Sequence, residues 1–356
     1  MTSTSMRTTV ALTAALFMSA AAAQQKISLT VAAGQPPRAL PSLALIGEFF
    51  IPEVNKRVRE QKLDIEIEWK EAYAGSLIKP IQMLDGIKDG IADIGYIPTI
   101  FYPDKLPLAN ITFVVPFLTT DVMLLGRVMN RLHETLPQFN QQYEKFNQVR
   151  LAGGGVDSYE LLTNFPVRKL EDIKGKKIAT AGAALAWLRG TGATPVSSNM
   201  MEYYNSTKTG VVDGFIIFPS SFPGMKYPEA APYIAKVGFG AQNTVVLTVN
   251  RDTWRKLPAP LQKIMQQVAE SWGIAGDRAY MTAGDGGYKA LPGFKAQLHE
   301  FPREEQVKWA RAMPNIAKEW ARAMDKQGLP GTKALTALMQ EARDAGIKPV
   351  RDWDKE

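Results

Sequence analysis

The chain has 356 residues, of which 46% are hydrophobic and 22% are charged, so it is long enough for two folded domains with sizeable cores. Its formal net charge of +7 comes from lysines and arginines that are scattered among acidic residues, which disfavours a nucleic-acid-binding surface. The sequence contains no cysteine, which excludes disulfides, thiolate metal sites and a cysteine nucleophile.

The amino terminus has the layout of a secretory signal peptide. A single basic residue, Arg7, precedes an apolar run from Val10 to Ala22 that ends in small residues. The run is shorter than the roughly 18 apolar residues that a membrane-spanning helix needs. We therefore expect residues 1–23 to be removed as a signal peptide and the protein to lie in the periplasm of a Gram-negative bacterium.

Strand and helix patterns alternate along the next part of the chain. KISLTVAAG predicts a strand, the apolar spacing of LPSLALIGEFFIPEVNKRVREQ predicts a helix, and LDIEIEWKEA predicts a second strand. A helix at IKPIQMLDGIKDG and a strand at IADIGYIP follow. This order predicts an α/β lobe with a mostly parallel sheet. The middle of the chain repeats the plan with a short helix at ALAWLRGTG and another at MMEYYNSTKTG, where Asn199 and Glu202 have capping-box spacing.

Two segments of the chain contain the same residue types in the same order. IKDGIADIGYIP and TKTGVVDGFIIFP each have a lysine, a glycine that ends a helix (Gly90, Gly210), an aspartate (Asp93, Asp213) and an apolar strand that ends at proline. Coincidence is one explanation, because helix–glycine–strand units are common. The other is that two lobes share one plan and face each other across a cleft, with ligand bound beyond the carboxyl ends of the strands.

A long amphipathic helix is predicted in the last third of the chain, from LPAPLQKIM onward. It could run along both lobes and brace them, although glycines 284, 286 and 287 weaken its far end. Its apolar face consists of Leu261, Ile264, Met265, Val268 and Trp272.

The residue inventory favours binding over catalysis. The two histidines, His133 and His299, are far apart and have no partners at metal-ligand spacing, so no metal site is predicted. A hydrolase triad has no support, because no histidine accompanies a GxSxG turn. Glu66 and Glu68 alternate on one face of a strand, where a solvated polar face is a better explanation than paired catalytic acids. We predict no catalytic residues and no cofactor.

From about Lys26 to Gly328 the chain resembles the extracytoplasmic solute-binding subunits of TRAP transporters, the C4-dicarboxylate-binding family. The segments that carry the resemblance are DGIKDGIADIGY with FYPDKLPL, LEDIKGKKI with GATPV, and EYYNSTKTGVVDG with LTVNRDTWRKLPAPLQKIM. It implies a two-lobed α/β periplasmic-binding-protein fold (type II-like) with a long bracing helix. We place lobe I at residues 26–152 plus about 245–285, and lobe II at residues 153–244 plus about 286–356.

The same resemblance implies a function. Its members close two lobes on one small molecule and deliver it to a small and a large membrane subunit, and they do not transform it. The chain is then a monomeric periplasmic transport receptor. A receptor that docks on a sensor kinase is an alternative that the sequence does not separate from it, and an exported enzyme on the same fold is the third.

Several positions depart from the family pattern. Ala179 in the GKKIAT strand stands where the family has an arginine that binds the ligand carboxylate, and Tyr159 aligns with a second family arginine. Phe215 and Ile217 replace a polar glutamine and asparagine. The resemblance therefore implies a pocket that is ill suited to a C4-dicarboxylate, with an aromatic or bulky monocarboxylate or a neutral carbonyl compound as ligand.

The candidate ligand-binding residues combine these departures, aromatic side chains that could supply apolar surface, and Gln242 and Asn243, which align with polar residues that the family points at the ligand. Arg38 is placed to substitute as a carboxylate partner, and Arg189 is a weaker candidate; a solvated loop position is the plain alternative for Arg38. The FIIF segment has its own alternative, in which all four residues are core. The full predicted set is Arg38, Tyr73, Tyr96, Tyr159, Ala179, Trp187, Phe215, Ile217, Phe218, Gln242 and Asn243.

Overall fold

A computed structural model describes residues 25–356 of the chain, so the predicted signal peptide lies outside the described residues. Within residues 25–356, every helix is too short or too polar to cross a bilayer. The strands are β1 (Gln25–Ala33), β2 (Ile65–Ala72), β3 (Ile94–Pro98), β4 (Gln148–Val156), β5 (Glu160–Thr163), β6 (Lys177–Thr180), β7 (Thr194–Ser197), β8 (Gly214–Ile217), β9 (Tyr233–Lys236), β10 (Gln242–Asn250) and β11 (Gln297–Glu300).

These strands form two mixed sheets. The first has the order β2-β1-β3-β10-β4, in which β1 runs parallel to β2 and β3, and β10 runs antiparallel to both neighbours. The second has the order β11-β9-β5-β8-β6-β7, in which β5 is antiparallel to its neighbours and the other pairs are parallel. The predicted two-lobed α/β fold is confirmed, while the lobe boundaries given above remain a prediction.

Helices surround both sheets. The α-helices are α1 (Pro41–Leu45), α2 (Ile51–Glu60), α3 (Met83–Lys88), α4 (Val122–Thr135), α5 (Gln138–Glu144), α6 (Tyr203–Lys208), α7 (Phe222–Met225), α8 (Tyr227–Ala230), α9 (Arg251–Lys256), α10 (Ala259–Ala290), α11 (Arg303–Ala312), α12 (Ile316–Lys326) and α13 (Gly331–Asp344). Shorter 3-10 helices cover Pro37–Ala39, Pro80–Gln82, Thr99–Phe101, Leu108–Val114, Leu170–Ile173, Gly182–Leu188, Pro219–Ser221 and Leu291–Phe294.

The two repeated segments adopt the same geometry, one in each sheet. Gly90 and Gly210 both have φ +73°, the left-handed conformation that ends a helix and that glycine adopts without strain. In both segments the aspartate that follows accepts a hydrogen bond of 2.8 Å from the backbone N–H of the neighbouring parallel strand: Asp93 from Thr30, and Asp213 from Lys177. The interpretation as two lobes built on one plan is confirmed.

The predicted bracing helix is α10, which is continuous for 32 residues despite its glycines. All five residues of its predicted apolar face are buried. It contacts α1, α4 and β4, which flank or belong to the first sheet, and also the Pro219–Ser221 turn that follows β8 of the second. The helix therefore packs against both lobes.

Some local predictions differ from the structure. The predicted first helix is interrupted by one π-helical turn at Ile46–Phe50, and ALAWLRGTG forms a 3-10 helix instead of an α-helix. The capping box at Asn199 is absent: α6 begins after Glu202, whose side chain accepts a hydrogen bond from Ser198, and Asn199 accepts one from the Met201 N–H. Short polar side chains compete for nearby backbone groups in this way.

Candidate functional site

A cavity lies between the two sheets, at the carboxyl ends of their strands. The first sheet contributes Pro98 at the end of β3, and the second contributes Ile217 at the end of β8, so the two repeated strands meet there as predicted. The empty space measures about 460 Å³, including the opening to solvent. The lining residues are Gln35, Leu40, Pro98, Ile100, Phe101, Val156, Tyr159, Ala181, Met200, Tyr203, Ile217, Phe218, Thr244 and Val245.

The lobes are in contact beside this cavity. A Cβ atom on Gly182 of the second lobe would lie 1.8 Å from the carbonyl oxygen of Ile100 in the first. A Cβ on Gly224 would lie 2.6 Å from the carbonyl oxygen of Arg38. Only glycine permits such close backbone approach, so at both positions the backbones of the two lobes are in direct contact.

The cavity wall is almost wholly apolar. Every lining residue belongs to the described part of the chain, and none of them carries a charged side chain. The polar side chains in the lining are those of Gln35, Tyr159, Tyr203 and Thr244. An apolar pocket with a few polar groups is the usual form of a site for a small organic molecule.

The FIIF segment divides between cavity and core. Ile217 and Phe218 line the cavity. Phe215 lies one layer behind it, where its ring stacks on that of Tyr203 with centroids 4.9 Å apart and a 13° interplanar angle. Tyr203 itself lines the cavity, so Phe215 supports the wall without forming it. Ile216 is fully buried in the core.

Tyr159 and Trp187 belong to one aromatic cluster. Tyr159 lines the cavity and meets the rings of Trp187 and Phe218 edge-on, with centroids 5.5 Å and 5.3 Å away. Trp187 is fully buried, stacks between Phe113 and Phe239, and donates its indole N–H to the Phe113 carbonyl oxygen at 2.6 Å. Trp187 therefore fixes the position of Tyr159 from outside the lining.

Three other predicted residues lie outside the lining. Ala179 is fully buried and pairs with Phe215 in the parallel register of β6 and β8, whereas Ala181, two residues further on, reaches the lining. The Tyr96 hydroxyl is hydrogen-bonded to Ser42 at 2.8 Å, away from the lining. Tyr73 is half-buried outside the lining.

The predicted polar partners also lie outside the lining. Arg38 is exposed in the 3-10 helix Pro37–Ala39 that follows β1, three residues from Gln35. Gln242 donates to the Gly240 carbonyl oxygen at 3.3 Å, and the Asn243 N–H donates to Thr112 at 3.2 Å. Arg189 forms an exposed ion pair with Glu319, with 2.6 Å between Nη1 and Oε2. Of the eleven predicted residues, Tyr159, Ile217 and Phe218 line the cavity. Ligand contact by any of the eleven stays a prediction.

Sequence reasoning missed Gln35, Tyr203 and Thr244. Gln35 follows the carboxyl end of β1, a position that the strand-end rule for α/β sheets could have flagged. Thr244 was missed because it reaches the cavity lining through a β-bulge. Asn243 pairs with Gly155 of β4 and Val245 with Gly154, so Thr244 is the extra residue in β10. Bulges redirect a side chain, and they carry no clear sequence signal.

Three buried carboxyl groups lie where the chain passes between the lobes. Asp157 accepts hydrogen bonds from the Ser220 N–H at 2.9 Å and hydroxyl at 2.6 Å. Glu160 accepts from the Gly238 N–H at 2.7 Å, and Asp277 of α10 accepts from the Gly155 N–H at 2.6 Å. Burial raises the pKa of Asp157 and Asp277 to about 7 and that of Glu160 to about 8.

Comparison of the sequence with models of protein families finds a match over most of the chain. Residues 51–323 match the family model for bacterial extracellular solute-binding protein, family 7 (DctP). A solute-binding protein of Sulfitobacter sp. (strain NAS-14.1) is 29% identical over 130 residues, which is 36% of this chain and 38% of that protein. The chain thus matches well under half of the length of this curated relative.

Two solved structures share the fold over nearly their whole length. A TRAP solute-binding protein from Rhodoferax ferrireducens T118, in complex with copurified benzoate, has a TM-score of 0.80 at 19% identity. The similarity covers 90% of this chain and 98% of that one. A TRAP periplasmic solute-binding protein from Bordetella bronchiseptica with bound (R)- and (S)-mandelate has a TM-score of 0.76 at 20% identity, covering 89% and 99%.

Proposed function

Because the chain belongs to the bacterial extracellular solute-binding proteins of family 7, we propose that it captures one small organic solute by closure of its two lobes in the periplasm. It then delivers the solute to the small and large membrane subunits of a TRAP importer. It works as a monomer and leaves the solute unchanged. The predicted signal peptide at residues 1–23 supports export, and the cavity between the sheets supports capture.

The observation that carries this proposal is the uncharged lining of the cavity. A small dicarboxylate in such a space would give up its hydration without gaining a cationic partner, which costs far more than burying a neutral group. A compact aromatic or branched solute would instead cover the apolar wall. The solute is then an aromatic or bulky monocarboxylate or a neutral carbonyl compound, in line with the benzoate and mandelate bound by the two structural relatives.

If the solute is an acid, Arg38 is the proposed partner of its carboxylate. Arg38 lies where the two lobes meet, with its carbonyl oxygen facing Gly224, and its side chain is exposed. The Arg38→Ala variant tests this role. Unchanged affinity for an acid solute would contradict it.

A thermal-shift screen tests the capture function. Aromatic and branched acids, amides and ketones are compared with succinate, malate and fumarate. A solute that binds only the folded protein stabilises it by about 2.7 kcal/mol at a hundred times its Kd, which raises the Tm. We expect a concentration-dependent rise with an aromatic or branched solute and little or none with the C4-dicarboxylates. Submicromolar succinate binding would contradict the proposed ligand class.

A cavity-filling variant tests where the solute binds. Ala181→Leu adds three carbons at the wall, so it should abolish or greatly weaken the response to any solute found in the screen. Met201→Leu is the matched control, because Met201 is 42% exposed and adjoins the lining residue Met200 without lining the cavity itself. An unchanged response in Ala181→Leu, with the Tm of the free protein retained, would place the solute elsewhere.

A further inference from the structure

Two buried polar groups in the cavity wall have no hydrogen-bond partner among the described residues. They are Oε1 of Gln35 and Oγ1 of Thr244, which belong to residues that are 1% and 3% exposed. Buried polar atoms in folded proteins are nearly always hydrogen-bonded, so an unpartnered pair in one cavity calls for an explanation. A bound molecule that hydrogen-bonds to both atoms would explain why neither has a partner within the protein.

Gln35 is held in place by its own backbone. Its carbonyl oxygen accepts from the Ala74 N–H at 3.0 Å, and the carbonyl oxygen of Ala33 accepts from the Gly75 N–H at 3.2 Å. A Cβ on Gly34 would lie 2.4 Å from the Cα of Pro80, so the loop packs tightly against this proline. These backbone contacts therefore fix the place of Gln35 in the cavity lining.

Thr244 is the extra residue of the bulge in β10, a strand of the same sheet as β1. Its carbonyl oxygen accepts a hydrogen bond from the Thr99 hydroxyl at 3.1 Å, while its own hydroxyl has no partner. Thr244 lines the cavity, whereas its neighbour Asn243 lies outside the lining and donates its backbone N–H to the Thr112 hydroxyl. The amide of Gln35 and the hydroxyl of Thr244 can each donate and accept a hydrogen bond.

We propose that the solute is an uncharged carbonyl compound, most simply a carboxamide, whose polar group hydrogen-bonds with Gln35 and Thr244 while its apolar part covers the wall formed by Ile217 and Phe218. This inference rests on the proposed function and deepens it. Neutral donors and acceptors satisfy an amide on both its oxygen and its N–H₂ group. They leave a carboxylate with an unbalanced charge in an apolar space. Gln35 and Thr244 are thus the specificity-determining residues.

Calorimetry with paired solutes tests the inference. Benzamide is compared with benzoate, and phenylacetamide with phenylacetate, at pH 7.5, so that each pair differs in charge and hardly in shape. We expect the amide of at least one pair to bind about a hundredfold more tightly than its acid. Equal or tighter binding of the acids would overturn the inference and leave capture intact. If the wider screen finds a different solute, an uncharged solute would support the inference and a carboxylate would overturn it. If no solute binds at all, the capture function itself fails.

Variants connect the preference to the two side chains. Thr244→Val and Gln35→Met keep the approximate shape and remove the polar groups, so each should weaken amide binding at least about tenfold. Thr191→Val is the control, because Thr191 is also a buried threonine and does not line the cavity. Unchanged amide affinity in both Thr244→Val and Gln35→Met, with the Tm retained, would contradict the assignment.

Discussion

Gly287→Ala is expected to lower the Tm of the protein, whereas Gly286→Ala, one residue earlier in the same helix, is expected to raise it. A Cβ on Gly287 would lie 2.1 Å from the carbonyl oxygen of Pro219, so the helix or the turn would have to shift. Such overpacking typically costs about 1–3 kcal/mol. A Cβ on Gly286 meets nothing within 4 Å, and alanine gains about 0.5–1 kcal/mol over glycine in a helix.

Urea unfolding of the two variants measures both effects against the unchanged chain. The pair is well matched, because both substitutions add one methyl group to α10 and only the contact with the turn differs. Pro219 directly follows Phe218 of the cavity wall, so Gly287→Ala should also weaken solute binding, while Gly286→Ala should not. Equal stability of the two variants would show that α10 does not pack closely on the second lobe.

The free energy of unfolding should fall as the pH rises from about 5 to about 8. In the folded protein Asp157 and Asp277 have a pKa of about 7 and Glu160 of about 8, whereas in the unfolded chain such groups ionise near pH 4. Between these values the folded state binds more protons than the unfolded state. The stability that these three groups contribute is therefore fully present below their unfolded pKa and is lost as the pH rises through their folded pKa.

The size of this effect follows from the same linkage. One pKa unit corresponds to about 1.36 kcal/mol, so the full shift of each buried group is worth about 4–5 kcal/mol, of which roughly 3–4 kcal/mol is lost between pH 5 and pH 8. Carboxyl groups with a lowered pKa, such as that of Asp354 beside Arg343, act in the opposite direction and mainly at more acidic pH. Urea unfolding at pH 5 and at pH 8 measures the difference.

Amide substitutions test which carboxyl groups cause the loss of stability between pH 5 and pH 8. Asp157→Asn and Asp277→Asn mimic the protonated acids, since an amide oxygen can still accept from the Ser220 or Gly155 N–H. Each should reduce the loss of stability between pH 5 and pH 8. Asp104→Asn, at an exposed acid, is the control and should leave the pH dependence as it is. Stability that rises over this window in the unchanged chain would contradict the prediction.

Most of the fold could be predicted from periodic sequence patterns, because each pattern depends on residues that are close together in the chain. The repeated glycine, aspartate and strand of Gly90–Pro98 and Gly210–Pro219 indicated two lobes that meet at the ends of matching strands, and the structure confirms it. The apolar spacing in α10 likewise predicted which residues are buried. In each case a short stretch of sequence determines the geometry.

The composition of the cavity wall was harder to predict because it depends on register. Ile217 and Phe218 line the cavity while Phe215 does not, since the cavity meets only the last residues of β8. Thr244 reaches the wall through one extra residue in β10, which no periodicity shows. Trp187 was predicted to bind ligand because it is aromatic. An aromatic side chain can equally pack in the core behind the lining, and Trp187 does so by stacking between Phe113 and Phe239.

The uncharged lining of the cavity also bears on how the environment affects occupancy. Salt weakens binding mainly by screening attraction between charges, and electrostatic steering of a ligand declines with ionic strength in the same way. An uncharged solute held by an amide, a hydroxyl and apolar side chains has no such attraction to lose. Dilute and saline surroundings would then leave capture equally fast and equally tight, and the abundance of the solute alone would set how much of the protein is filled.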